Sequence, residues 1–418
     1  MTEPSGPYRT LNARRWVADL NGADEVRGAF ELPRRVRVHD VTLREAEQAP
    51  HVTLRPEEKV RIYRALDAMG VDSVEIFPLV AEDEKEVGRE LVRLRRQEGA
   101  QAKVFFLCRW HEAEVDFAAE CGADGVIVEG AANPWLGKVL LGGMTEDQML
   151  QRYVATTAHA KKCGLTTAVM PWDTARSPLP WLERLYKGIV YDGGADRVVI
   201  ADTHGSSLPE AAAALVRKLR GWVPGIPVEM HCHNDHGLAT AIMLAAVQAG
   251  AEAVHTSINC LGERAGNAAT EEVALNLVDL LGVEVGVHLD QLYPTAQLIA
   301  ELTKIPLARN KPVVGDNQFT YESGMVIYSI EKVIADGTRP FGTYLPETIG
   351  RKGYDVVFGK MSGSDVITRL LARLGLQGTR EQTAEILRQV KDESAIRKWS
   401  IGPDVVEGIA RQVLGAAR

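Results

Sequence analysis

Val228-Glu229-Met230-His231-Cys232-His233-Asn234-Asp235-His236-Gly237 is the stretch whose reading decides this chain. An apolar approach through Ile226 and Val228 leads into two histidines two apart. The residues that follow, Leu238-Ala239-Thr240-Ala241-Ile242-Met243-Leu244-Ala245-Ala246, read as a helix. Residues i and i+2 of a strand point to one face, so both imidazoles reach one divalent metal if the run is a strand. The spacing alone is a weak signal, since histidine pairs in strands also serve as plain buried or surface groups. A polar cluster at a strand end that feeds a helix favours the metal reading, because α/β barrels gather their functional groups there.

Outward from that stretch the same rhythm repeats. Short apolar runs recur at 36–41, 73–77, 103–107, 125–128, 166–170, 197–201, 227–232 and 253–258. Between them lie helical patterns at 56–69, 82–97, 112–121, 145–163, 180–191, 208–218, 238–249 and 268–281. Eight strand–helix units of this length predict an α/β fold, an eight-stranded parallel (β/α) TIM barrel. Pro56 with Glu57 and Glu58 makes a sound helix start, and Gly70, Gly122, Gly164 and Gly250 supply the stops. No glycine-rich dinucleotide turn follows the first strand, which sets aside a doubly wound open sheet. The rhythm breaks after Gly282. The expected organisation is an N-terminal extension at 1–33 with one amphipathic candidate at 11–20, and the barrel at 34–282. A linker or lid at 283–330 follows, with a short helix at 292–303, and then a small, mainly helical C-terminal subdomain at 331–418 whose clearest helices are 380–390 and 403–414.

Composition narrows the function. The 418 residues are 45% hydrophobic and 25% charged, with a net charge of −8. That is an ordinary globular balance and offers no basic face for nucleic acid. No run of ~18 uncharged apolar residues suggests a membrane span, and the first residues lack the apolar core of a signal peptide. Five cysteines, scattered and never spaced Cys-x-x-Cys, suit free thiols in a cytoplasmic protein.

Other strand ends carry chemistry as well. After the first strand comes Asp40-Val41-Thr42-Leu43-Arg44-Glu45-Ala46-Glu47-Gln48. Glu45 is a natural third ligand beside His231 and His233, since oxygen with imidazole suits Mg²⁺, Mn²⁺ or Zn²⁺. Arg44 is placed to neutralise an oxyanion, or else forms a plain surface ion pair. Ala201-Asp202-Thr203-His204-Gly205 ends the sixth strand, where Thr203 either holds a carboxylate or caps the next helix. After the eighth strand, Asn259-Cys260-Leu261-Gly262-Glu263-Arg264-Ala265-Gly266-Asn267 reads as a lid or site wall, or as a plain charged turn.

Taken together, Leu43-Arg44-Glu45 with Gln48 and Lys59, His231-x-His233-Asn234-Asp235-x-Gly237, and Gly262-Glu263-Arg264-Ala265-Gly266-Asn267 resemble the isopropylmalate synthase and homocitrate synthase family. Pro346-Glu347-x-Ile349-Gly350 and Gly359-Lys360-Met361-Ser362-Gly363 extend the resemblance to about residue 410. It implies a metal-dependent, Claisen-type condensation of an acyl-CoA, acetyl-CoA first, with a 2-oxo acid to a 2-alkylmalate or homocitrate-like product and CoA. The implied metal ligands are Glu45, His231 and His233, with Arg44 at the developing alkoxide and Thr203 at the carboxylate. Phe77, Arg109, Trp172, Arg176 and Gln48 are the expected substrate-binding residues. A homodimer is implied too, with the linker exchanged so that Tyr321 and Glu322 reach the partner's site.

The chain also departs from that family. Ala46 and Cys260 replace glycines. In Met170-Pro171-Trp172-Asp173 the family's glutamate is Trp172, and in Tyr321-Glu322-Ser323-Gly324-Met325-Val326 a histidine is Tyr321. Trp172 accepts no proton, and a phenol of pKa ~10 is a poor base. Either His204 or Tyr321 replaces the lost base, or the donor is not acetyl-CoA, or the two aromatics merely reshape the pocket. The rival functions are a 3-hydroxyacyl-CoA lyase working by retro-Claisen cleavage and a catalytically impaired homologue. The lyases' Gly-Gly-Cys-Pro loop is absent here.

Overall fold

The structure is a computed structural model that describes residues 15–415. By its internal contacts the chain divides into a unit of Asp19–Leu307 and a second unit formed, among the described residues, by 15–18 and 308–415.

The first unit is built on eight parallel strands closed into a barrel. They are β1 (Arg37–Asp40), β2 (Ser73–Ile76), β3 (Lys103–Arg109), β4 (Gly125–Ala131), β5 (Thr166–Trp172), β6 (Arg197–Asp202), β7 (Val228–Cys232) and β8 (Ala253–Thr256). Closure is made by β1 against β8, with His39 registered on His255 and Asp40 on Thr256. Each expected apolar run coincides with one strand, four of which extend past its end, and the helices Pro56–Met69, Glu82–Gln97 and Glu112–Cys121 occupy the ranges that their periodicity predicts. Proline at the first turn and a reciprocal pair between Arg55 and Glu58 start Pro56–Met69, and Gly70, at φ +83°, ends it in the left-handed conformation that glycine adopts without strain.

Inside the barrel, Phe105, Leu107, Ile127, Ala168, Met170, Val199 and Ala201 make an apolar plug on the β3–β6 side. The β7–β8–β1–β2 side is different, because Glu229, His255, His39 and Glu75 are all buried there. Beneath the barrel, Arg27 donates to the carbonyls of Leu281 at 3.0 Å and Leu280 at 2.7 Å. The helix Leu292–Thr303 belongs to this unit, where its Ala296 carbonyl accepts from Asn259 Nδ2 at 2.8 Å.

Around a core of Ile327, Phe358, Ile367, Ile386, Val390 and Val406, the second unit packs the helices Gly324–Asp336, Ser364–Arg373, Arg380–Arg397 and Pro403–Leu414. Thr320–Tyr321 and Asp355–Val356 form a two-stranded parallel sheet within it. The amphipathic helix expected at 11–20 is not found in its described part. Arg15 bridges antiparallel to Tyr344, and the Trp16 N–H donates to Thr343 O at 2.7 Å instead of to a helical carbonyl. Residues 11–14 lie outside the described residues.

No helix among the described residues is long and apolar enough to cross a membrane. All five cysteines are free.

Candidate active site

β1 runs directly into the short helix Thr42–Glu45, and that turn aims Glu45 across the barrel mouth. Asp40 organises it, its carboxylate accepting from Thr42 N at 2.9 Å and Thr270 Oγ1 at 3.0 Å. The Thr42 hydroxyl in turn accepts from Ile258 N at 2.8 Å. Complete burial pushes the Asp40 carboxyl up to about 7 in spite of those hydrogen bonds.

From β7 come the histidines. Glu45 Oε1 lies 3.8 Å from His231 Nε2 and 3.9 Å from His233 Nε2, and one donor atom of each residue falls within 4.8 Å of the others. Burial holds the His231 imidazole well below its usual value, reinforced by His233 and Arg44, and burial likewise lowers His233. Both are therefore neutral, the form in which imidazole binds a metal. Glu45 Oε2, His231 Nδ1, His233 Nδ1 and Asn267 Oδ1 are buried with no hydrogen-bond partner among the described residues. An unsatisfied buried carboxylate oxygen such as Glu45 Oε2 is costly unless something takes its lone pair. The donor set fits a divalent cation with mixed oxygen and nitrogen ligation.

Arg44 sits beside this trio, buried, with Nη1 2.6 Å from Glu45 Oε1 and Nε ion-paired to Glu75. Burial works against its charge, but Glu45, Glu75 and Glu129 more than offset that and hold it protonated. Its Nη2 is buried and without a partner among the described residues, so one donor remains for a bound oxygen. Glu75 also meets His39 Nε2 at 3.0 Å, while His39 Nδ1 reaches Ser73 Oγ at 2.7 Å. His255 stacks on His39 at 4.4 Å between ring centroids and bonds Glu229 at 3.0 Å. Burial opposes the ionised form of Glu75, yet Arg44 and His39 bring it down to about 2. His39, Glu75 and His255 could themselves group around a metal. Their donor atoms are largely taken by Ser73, Arg44, Glu229 and one another, so the group braces Arg44 from below.

The loop after β8 closes the site. Arg264 Nε pairs with Asp235 at 2.8 Å and its Nη2 donates to Thr203 O at 2.5 Å. Asn234 N donates to Gly266 O at 2.8 Å, and His233 bridges to Asn267. Gly262, at φ +149°, leaves no room for a side chain. A Cβ there would stand 2.2 Å from Asn267 Nδ2 and 3.0 Å from Glu45 Oε2.

The remaining expected residues fall in several places. Thr203 Oγ1 accepts from Asp173 N at 2.8 Å, which leaves its own proton to donate; it does not cap the next helix, which begins at Pro209. Arg109 is exposed, held by Glu114 at 2.6 Å and stacked over Phe77 at 5.5 Å. Arg176 forks onto Asp173 at 2.6 and 3.0 Å. His204 Nε2 is 3.9 Å from Asp173 Oδ1 and 40% exposed. Trp172 ends β5 half-buried, and Gln48 is exposed in the turn Ala46–Gln48.

In the second unit Tyr321 packs among Phe341 and Tyr354, where burial pushes its phenol up, away from a working base. Glu322 accepts from Met361 N at 2.8 Å and Ser400 Oγ at 2.6 Å, contacts that tie together that unit's own loops.

Sequence reasoning gave no role to Asn267, Glu75, His39, His255 or Glu129. Asn267 closes the loop expected to be a lid, a site wall or a plain charged turn, and the other four alternate with apolar neighbours inside the barrel strands.

The fold and the gathered side chains define a (β/α)₈ barrel with its polar groups at the strand C-terminal ends. The chain belongs to the HMGL-like family, whose model matches residues 35–299, and within it to the group of homocitrate, citramalate and isopropylmalate synthases. A homocitrate synthase post-HMGL domain-like model matches residues 313–398. The homocitrate synthase AksA of Methanopyrus kandleri is 36% identical over 386 residues, 92% of this chain and 94% of that protein. A probable 2-isopropylmalate synthase of Ignicoccus hospitalis is 36% identical over 387 residues, 92% of each. A putative (R)-citramalate synthase CimA of M. kandleri is 38% identical over 397 residues, 94% of this chain and 75% of that protein. Among solved structures, the hydroxymethylglutaryl-CoA lyase of Pseudomonas aeruginosa superposes with a TM-score of 0.58 at 22% identity, over 66% of this chain and 95% of that one, a likeness of fold.

Proposed function

We propose that the barrel condenses an acyl-CoA with a 2-oxo acid in a divalent-metal-dependent Claisen reaction, releasing CoA and a 2-alkylmalate or homocitrate-like acid. Acetyl-CoA is the donor favoured by the synthases that the chain resembles. The observation that carries the reading is the buried trio Glu45, His231 and His233 with the unpartnered Nη2 of Arg44 beside it.

Glu45, His231 and His233 would hold the cation, which would supply Lewis-acid polarisation of the acceptor's oxygens. Arg44, kept charged between two carboxylates, offers its free donor to the oxygen that becomes an alkoxide. Thr203, oriented by the Asp173 amide, donates to the acceptor's carboxylate. Phe77, Arg109, Trp172, Gln48 and Arg176 are the further substrate-binding residues of this reading. The assembly that goes with this reading is a homodimer in which the segment around Tyr321 and Glu322 serves the partner's barrel. A monomer on gel filtration at micromolar concentration would contradict it.

The test is thiol release. Purified protein with Mg²⁺, Mn²⁺ or Zn²⁺ is mixed with acetyl-CoA and, in turn, pyruvate, 2-oxoisovalerate, 2-oxoglutarate, oxaloacetate, glyoxylate and phosphonopyruvate. Chelator-sensitive release of CoA with one acceptor supports the reading and names the acceptor. Cleavage of a 3-hydroxyacyl-CoA to acetyl-CoA and a carbonyl compound, with none of the acceptors turning over, would favour the lyase.

A further inference from the structure

The condensation needs a base for the acyl methyl, and neither Trp172 nor the buried phenol of Tyr321 is suited to be one. We propose that Glu129 on β4 is that base, a further catalytic residue of the barrel; this rests on the condensation reading.

Strand geometry places it. Ile127, two residues earlier, belongs to the apolar plug inside the barrel. Successive strand residues alternate between faces, so Glu129 takes the next interior rung toward the mouth. Its register partners are Arg109 on β3 and Met170 on β5. Gly130 faces the other way, since a Cβ there would meet the Trp110 ring at 2.2 Å. Ala131, the rung above Glu129, is registered on Trp172, so Glu129 stands beside the strand end that has lost its carboxylate.

Its surroundings set it apart from the other acids of the barrel interior. Glu45 pairs with Arg44, Glu75 with Arg44 and His39, and Glu229 with Arg37 and His255. Among the described residues the Glu129 carboxylate has no hydrogen bond and no ion pair, and it is half-buried at the open end of the plug. An apolar side chain would extend that plug without any desolvation cost, so an unpaired acid here weakens the barrel and is explained by use. The groups that act on it are Arg44, which favours its charge, and Glu75, Glu45 and Glu114, which oppose it, with Tyr153 felt from the helix Glu146–Lys162. Burial is the largest influence and pushes the carboxyl up to about 7, where a base works best at neutral pH.

In the step assigned to it, the Glu129 carboxylate takes a proton from the methyl carbon next to the thioester. The C–H electron pair becomes an enolate, which forms a bond to the keto carbon of the 2-oxo acid. The C=O pair moves to oxygen, beside Arg44, and that oxygen takes a proton. Water then adds to the thioester and the CoA thiol leaves.

The experiment compares wild type with E129Q, using acetyl-CoA, divalent metal and the acceptor found by thiol release. E129Q should keep its metal content and bind the acceptor within about threefold, while CoA release and deuterium exchange into the acyl methyl both fall by at least about 100-fold. Glu129→Ala should be equally slow, and added formate should restore part of its rate. The rescue reads the role even where E129Q is poorly folded, because a structural loss is not repaired by a small carboxylate. Full turnover and exchange in E129Q overturn the proposal, as does a change confined to the acceptor's KM, which would make Glu129 a specificity residue. A wild type that releases CoA while E129Q does the same leaves the condensation standing and removes Glu129 alone. A wild type silent with every acceptor removes both.

Discussion

At the scale of single residues, the site is a set of exceptions to ordinary burial. Four buried polar atoms, on Glu45, His231, His233 and Asn267, lack partners among the described residues. Glu45→Gln should therefore weaken binding of Mn²⁺ by at least about 100-fold in equilibrium dialysis, since even outer-shell changes cost 10–100-fold. Thermal stability without metal should fall as well, because the swap takes one buried carboxylate away from Arg44. Gly262 is the other exception. Gly262→Ala places a side chain at φ +149° against Asn267 and Glu45. It should cost about 1–3 kcal/mol in denaturant unfolding and weaken metal binding as well. Of these residues Glu45, His231 and His233 were legible as candidate ligands from their place at strand ends, because polar groups there have few structural uses. Glu129 was not, because a parallel barrel strand is expected to be apolar on both faces and one acid within it reads as noise.

Secondary elements were the most legible level. Eight apolar runs separated by helical patterns leave little but a closed parallel barrel, and glycine and proline punctuate the helices where the structure ends and starts them. Hidden elements were those whose cause is a single hydrogen bond. Thr42–Glu45 lies in a polar run and exists because Asp40 takes the Thr42 amide. Pro134–Leu140 begins where the Asn133 side chain accepts from Trp135 N at 3.0 Å.

How the helices hold the site also shows at this scale. Lys59, on Pro56–Met69, is 1% exposed and ion-pairs with both Glu47, beside the metal-ligand turn, and Glu84, on Glu82–Gln97. Burial already pushes the Glu84 carboxyl up, so losing the ammonium is severe. Lys59→Met should cost about 3–5 kcal/mol, with most of it recovered in K59M/E84M, as urea unfolding would reveal.

For the molecule as a whole, the charged interior sets how stability follows pH. Glu75 and Glu229 are each brought down to about 2 when folded, burial opposing and their cationic neighbours prevailing. The unfolded chain therefore binds these protons first as pH falls. Their contribution, ~3 kcal/mol each, is complete above about pH 4.5 and is lost between there and pH 2. Asp40 works in the opposite sense. Held near 7 by burial, it favours the folded state most at acid pH and loses that contribution as pH rises from about 4 to 7. Melting temperature should thus fall steeply below about pH 4. In Asp40→Asn, the decline between pH 4 and 7 should flatten. An unchanged decline in that variant would show that Asp40 is not the group responsible.

The backbone pairing of Trp16 with Thr343 has a consequence for how the chain is made. Residues 15–18 belong with 308–415, so in the order of synthesis the barrel is an insertion between two pieces of one unit. The barrel has all its strands while the ribosome is still translating. The segment that emerged before it must wait, its partner not yet existing, until the last part of the chain is released. A protein truncated after Leu307 would keep Glu45, His231 and His233 but lack Tyr344 and Thr343, the backbone partners of Arg15 and Trp16.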